Sequence, residues 1–291
     1  MPSGNTVTDS LNDSLPLVIS SARQVREHEG VMPNLVDRVS LGEGIGLTWH
    51  EISLAALTAQ GVTETTELNN PQQLSDTDFA ITPTVTGLSV VITDRVAARI
   101  DKKAYAKTGG LAQNAVQRKK DEDGLVVLDG ATTSLGGAGT TATAGLIAAS
   151  GSRIQGNTTE PGMPPIRAVL HPFQIKDFWD ELTAPLGTYE ISVGETARVF
   201  REGFMGRISG VEIYEDGNLS IDASDDTKGG VFAREAIVLV QGRMPRAVNV
   251  RNEKLGGGAT EMYLYDEYAY GERSAGNWLY EIYTDATAPT S

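Results

Sequence analysis

From Arg207 to Glu215 apolar and polar residues alternate, with Ile208, Val211 and Ile213 set against Arg207, Glu212 and Glu215. That is the period of a half-buried strand. Gly206 and Gly210 bracket its start, and Asp216-Gly217-Asn218 ends it, since Gly and Asn tolerate the positive φ of a turn. After a polar loop, the apolar run 236–240 predicts a fully buried strand. Two further β-compatible runs, 49–57 and 79–92, flank a polar stretch with Asn69, Asn70 and Pro71 as turn signals. They predict a long extended hairpin. So few core residues at its tip make it marginal in isolation, so its strands must lie on something else.

At Asp94 the period becomes helical. Val96, Ile100, Ala104, Leu111 and Ala115 fall on or near one stripe, with Arg99, Lys102, Lys103, Lys107, Arg118, Lys119 and Lys120 outside it and Asp94 as N-cap. Gly109 and Gly110 together cost roughly 2 kcal/mol relative to Ala, so a bend or break is expected there. Further on, the pattern predicts a helix over 143–153, a buried strand over 166–170, and a helix opened by His171-Pro172 with Ile175, Phe178, Trp179 and Leu182 on one face. Residues 187–200 read as loop, short strand and helical turn. Strands follow over 246–251 and 260–270, joined by the flexible turn 252–258, and a last strand presents Trp278, Tyr280 and Ile282 on one face. Residues 1–14 hold little apolar surface and read as mobile or docked on a neighbour, while 15–29 predict a short helix between Pro16 and Gly30.

Composition narrows the function classes. The 291 residues are 40% apolar, enough for a sizeable core, and the net charge is -14. That argues against a surface built to neutralise nucleic-acid phosphates, although seven of the 24 basic residues crowd the segment 99–120. No aromatic residues interleave them as a nucleic-acid patch would need, and a solvated helix face or a subunit contact is the expected role. Cysteine is absent, which removes disulfides, thiolate nucleophiles and cysteine zinc sites. No apolar run of about 18 residues and no basic-then-apolar N-terminus is present, so neither a membrane span nor a signal peptide is predicted.

Candidate chemistry is sparse. Gly42, Gly44 and Gly46 lead into β-like sequence rather than a helix, and the loop 129–139 is followed by Thr140 and Thr141 with no Lys, so neither forms a nucleotide fingerprint. His28, His50 and His171 are scattered, without metal-ligand spacing, and Ser209 lacks the paired glycine of a nucleophile elbow. Asp222, Asp225 and Asp226 cluster, but without the spaced acids and terminal Glu of a calcium loop. Tyr263, Tyr265, Tyr268 and Tyr270 make an aromatic strand suited to packing, to an interface or to carbohydrate. No catalytic, cofactor-binding or metal-ligating residue is assigned, and no cofactor.

The order of segments resembles one family. Gly206 and Gly210 leading into Val211 and Ile213, the polar turn Asn218-Leu219, a small-residue loop, an apolar strand, the long strand 260–270 closing in Tyr270-Gly271, and the final strand 277–284 resemble the late part of tailed-bacteriophage major capsid proteins. The resemblance implies an α+β chain of the Hong Kong-ninety-seven-like fold. Its parts would be an N-terminal arm (1–44), an extended hairpin loop (45–93), the spine helix of a peripheral domain (94–130), an axial domain (131–243), peripheral strands (244–272), and a closing axial strand with tail (273–291). It implies a non-enzymatic subunit that self-assembles through pentamers and hexamers into an icosahedral head around double-stranded DNA. Scaffolding, portal and decoration proteins would be partners, no membrane would be involved, and the chain would be made in the bacterial cytoplasm and end in the virion. Some members of the family crosslink through a lysine on the extended loop. Residues 59–80 contain no Lys, so non-covalent locking is expected here. A second reading stays open: a soluble mixed α/β enzyme or carbohydrate-binding module with its site near Asp222–Asp226 and the tyrosine strand 263–270.

Overall fold

The computed structural model describes residues 5–6, 27–28, 30–42, 44, 46–65, 67, 71–99, 102–183 and 206–290, with backbone alone for 5–6, 102–106 and 182–183. Most of the helix expected over 15–29 and all of the mixed segment 187–200 lie outside them.

Two sheets carry the body. The six-stranded sheet has the order β6-β13-β10-β7-β9-β8, built from β6 (Ser134–Gly136), β7 (Ile166–Leu170), β8 (Arg207–Ile208), β9 (Val211–Glu215), β10 (Asp226–Ala233) and β13 (Leu279–Asp285). Its core is fully buried Ile166, Val169, Leu170, Val211, Val231, Phe232, Leu279 and Ile282. Against it lie α4 (Ala144–Gln155), capped by the Thr143 hydroxyl accepting from Leu146 N–H, and α5 (Pro172–Thr183), with Phe178 fully buried. The five-stranded sheet has the order β1-β5-β12-β11-β2: β1 (Asn5–Thr6), β2 (Asp37–Ser40), β5 (Thr84–Thr93), β11 (Ile237–Asn252) and β12 (Ala259–Glu272). Short α1 (Met32–Leu35) precedes β2, and α2 (Asp94–Ala97) and the long α3 (Lys102–Asp129) follow β5.

Several elements differ from expectation, each for a physical reason. The alternation at 207–215 is two strands: Ser209 (φ 49) and Gly210 (φ 86) make a two-residue turn that folds β8 back on β9. Strand β10 was hidden in the sequence by Gly229 and Gly230, which read as loop. A Cβ on Gly229 would stand 2.6 Å from the Val169 carbonyl oxygen, and one on Gly230 3.0 Å from Leu128 Cδ2. The glycines therefore let β7 and the end of α3 close on the strand. The expected strands 236–240 and 246–251 are one, β11, with register shifts at Gln241, Arg243 and Arg246 around Pro245, whose missing N–H suits a bulge. The run 79–92 divides at Pro83 into β4 (Asp76–Ile81) and β5. Asn5–Thr6 lies parallel to Val91–Ile92 of its own chain rather than on a neighbour or free.

The helix expected from Asp94 onward is interrupted earlier than its glycines suggest. The backbone stays helical through Gly109 and Gly110 and breaks after α2. Asp94 is not the N-cap: that position is Thr93. Asp94 is instead tied to the turn after β11, its N–H donating to Gly258 O at 3.0 Å and its carboxylate paired with Arg251, which holds it below the usual carboxylate range. The buried stripe of α3 is Ala112, Val116, Leu125 and Leu128, one position on from Leu111, which is exposed.

Candidate assembly surface

Strand β3 (Trp49–Leu54) pairs only with β4, Trp49 opposite Ile81 and Leu54 opposite Asp76, as a two-stranded sheet apart from the other two. Its root is fastened. Trp49 and Phe79 meet edge to face at 6.2 Å, and Ile81 packs with Val238 and Val240 of β11. Arg273 Nε donates to Glu51 Oε2 at 2.7 Å and its Nη1 to Asp37 Oδ2 at 2.9 Å, with the guanidinium 5.8 Å over the Trp49 ring. Gly271 passes beneath, where a Cβ would stand 2.5 Å from Ile81 Cδ1. Gly271 of the Tyr270-Gly271 pair noted in the sequence thus lets β12 pass close beneath the hairpin's root.

Beyond the root the limb covers nothing. Every described residue from 52 to 78 is exposed, including Ile52, Leu54, Leu57, Val62 and Leu74, each more than half exposed. Its two arms are linked by Ala55 N–H to Ser75 O at 2.9 Å, by Thr58 N–H to Gln72 Oε1 at 2.8 Å and by Gln72 Nε2 to Thr58 O. Residues 39–94 contain seven acids and no Lys or Arg. The hairpin therefore presents acidic groups, apolar side chains and two strand edges that the described body does not cover.

The body offers one face of the opposite kind. At the β11 bulge Met244 is 77% exposed, beside exposed Val85. Arg243 is held at 3.6 Å by Glu267, and the Arg246 guanidinium lies 5.9 Å over Tyr265, whose ring stacks on Tyr263 at 6.0 Å. A concavity of about 200 Å³ here is lined by Val85, Met244 and Tyr265, by Arg243 and Arg246, and by Asp266 and Glu267.

The residues named as candidate chemistry are not brought together. Asp222 accepts backbone N–H bonds from Ser224 and Asp226 at 2.8 and 3.0 Å, which hold its carboxyl below the usual range, and Asp226 accepts from Gly139 N–H at 2.7 Å. This is a self-capped turn leading into the start of β10, in the six-stranded sheet, whereas the tyrosines lie in the five-stranded one. The tyrosines themselves divide: Tyr268 donates to Asp123 Oδ2 of α3 at 2.8 Å, while Tyr263 and Tyr265 stack on each other. Gly46 runs on toward β3, Ser209 is a turn residue, and the loop 129–139 enters β6. His171 caps α5, its ring Nδ1 accepting from Phe173 N–H, and burial lowers its pKa; His28 packs on Gly217, and His50 pairs with Asp78 at 2.9 Å. Among the described residues no three acidic or histidine side chains are placed to hold a metal, and no helix is long and apolar enough to cross a membrane. A groove of about 1130 Å³ runs between residues 27–40, α3 and β11, but its Lys120 is occupied by Asp266 at 3.1 Å.

No family model and no curated protein matches the sequence. Solved structures do match in three dimensions. One from Mycobacterium phage Che8 has a TM-score of 0.72 at 18% identity over 91% of this chain and 95% of that one. The capsid structure of cyanophage P-SCSP1u has 0.70 at 12% over 97% and 96%. The acid-stable capsid structure of Helicobacter pylori bacteriophage KHP30 has 0.70 at 12% over 97% and 99%.

Proposed function

We propose that this chain, whose α+β fold is the Hong Kong-ninety-seven-like fold of phage capsid proteins, is the major capsid subunit of a tailed bacteriophage. Copies of it close an icosahedral head around double-stranded DNA, through pentamers and hexamers and without enzymatic activity. The observation that carries this reading is the β3–β4 limb, rooted by Arg273 and Trp49 yet exposing Ile52, Leu54, Leu57, Val62 and Leu74. No exposed limb of this kind repays its own ordering, whereas repeated on many copies its contacts add up.

The parts take the roles expected from the resemblance: arm 1–44, extended loop 45–93, spine helix 94–130, axial domain 131–243 with the closing strand 273–291, and peripheral strands 244–272. The loop's acids require a receiver with positive charge and an apolar floor, and Arg243, Met244 and Arg246 of a neighbouring copy supply both. Locking is non-covalent, since residues 59–80 lack Lys. Scaffolding, portal and decoration proteins are further partners, and synthesis is in the bacterial cytoplasm. Sedimentation velocity of the purified chain over rising concentration tests the reading. Rings of five or six copies and megadalton shells support it; a compact monomer at every concentration overturns it.

A further inference from the structure

Three parts of the chain meet around two buried carboxyl groups. Asp121 on α3 is fully buried, and Asp216, just past β9, is 1% exposed. Met32 N–H donates to Asp121 Oδ1 at 2.9 Å and Val31 N–H to Asp216 Oδ2 at 3.3 Å. Asn218 joins the two, its backbone N–H donating to Asp216 Oδ1 at 2.9 Å and its side-chain amide to Asp121 Oδ2 at 2.9 Å. The Asp121 and Asp216 carboxyls are themselves within hydrogen-bonding reach of each other.

The seat is closely fitted. A Cβ on Gly30 would stand 2.2 Å from Asp121 Cγ, and one on Gly217 2.5 Å from the His28 ring. Only glycine at both positions lets residues 27–28 and 30–35 lie down here.

Two carboxylates in one dry site do not both ionise unless a cation offsets them. The cations nearby are engaged elsewhere: Arg118 with Glu27 and Glu122, Lys120 with Asp266, and Arg38 with Pro33 O and Asn34. From β12 the site is faced by the buried Tyr270 hydroxyl, which has no hydrogen-bond partner; Asp123 is held by Lys119 and Tyr268. The His28 ring, packed on Gly217, is the remaining titratable group on the seated segment's side.

We propose that Asp121 and Asp216 form a proton-sharing latch: holding one proton between them, they seat residues 30–35 on α3 and on the turn after β9, and losing it they release the segment. The latch works within one chain and does not depend on the assembly reading.

The direction with pH follows from the buried state. Burial first, and then the Asp216 carboxyl, raise Asp121 from an ordinary 3.8 to about 7, against the lowering by hydrogen bonds from Asn218 and Met32. A group raised in the seated form favours seating fully below its free value. That preference is lost progressively as the pH rises through about 7, a span that amounts to as much as about a thousandfold in the seating equilibrium.

Hydrogen exchange of the full chain at about pH 5 and about pH 9, corrected for intrinsic rates, reads the seating of residues 30–35. Exchange there is expected to be at least about tenfold faster at the alkaline pH. In Asp216→Asn no second carboxyl shares the proton, and since burial of Asp121 remains, the pH dependence of protection is expected to shrink rather than vanish; Glu235→Gln, an exposed control, behaves as the unmodified chain. Should Asp216→Asn fail to fold, infrared spectroscopy of the unmodified chain reads the same proton, as a carboxylic-acid carbonyl band that vanishes through neutral pH. Equal protection at both pH values, an undiminished pH dependence in folded Asp216→Asn, or the absence of that band overturns the latch.

Discussion

Replacing Leu57 and Leu74 by serine separates the stability of one chain from its association. Both side chains are 62% exposed on the hairpin. A fully buried leucine contributes about 1.5–3 kcal/mol. The exposed share therefore leaves roughly 1–2 kcal/mol per residue for a neighbour to collect, about 2–4 kcal/mol for the pair. At about 1.4 kcal/mol per factor of ten, each limb-to-body contact should weaken by about 30- to 700-fold. The single chain loses almost nothing, because exposed substitutions away from caps and cores stay within about 0.5 kcal/mol. Thermal unfolding of dilute monomer and light scattering against concentration read the two quantities. The expected result is an unchanged melting temperature with a critical assembly concentration raised at least tenfold. An unchanged critical concentration would refute the reasoning, and so would a large loss of monomer stability, since that would mean the two leucines are covered by their own chain.

The body's own dependencies are testable beside it. Phe232→Ala, in the fully buried centre of β10, should cost about 3–5 kcal/mol in chemical denaturation. Gly229→Ala should cost about 1–3 kcal/mol, because its methyl would meet the Val169 carbonyl oxygen. Arg273→Ala should leave the six-stranded sheet intact and speed amide exchange in β3, since it removes the links to Glu51 and Asp37 and the cover over Trp49. Exchange of Arg243 and Arg246 for glutamate should leave the fold unchanged and block assembly, with partial recovery when Glu64 and Glu67 are changed to lysine; no recovery would place the hairpin's receiver elsewhere.

How much was legible depended on whether a segment's reason lay in its own residues. The alternation in β9, the apolar run in β7, and Pro172 with Phe178 in α5 carry their reasons locally, and those elements stand where expected. The hairpin was legible for a complementary cause: the stretch 59–78 is too polar to repay its own ordering, and its described residues are exposed. What escaped had its cause in another part of the chain. Gly229 and Gly230 look like a loop until β7 and Leu128 are beside them. Asp94 looks like a cap until Arg251 takes its carboxylate. The stripe of α3 shifts by one residue because it packs on β12 and α1 as well as on a single layer. On the surface, the acidic limb could be read from the missing Lys and Arg over 39–94, but the Arg243–Arg246 bulge could not, since it exists only where β11 slips its register against β12. The paired Asp121 and Asp216 are 95 positions apart, and only the fold makes them neighbours.

The central claim is that this chain completes its buried surface on copies of itself. An electron-microscopy map of the assembled full-length chain tests it most directly. The account predicts closed shells in which residues 47–81 of each copy lie across the body of the next, with Leu57 and Leu74 covered. A map of closed shells with that hairpin free in solvent, or a preparation that yields single molecules alone, would contradict it.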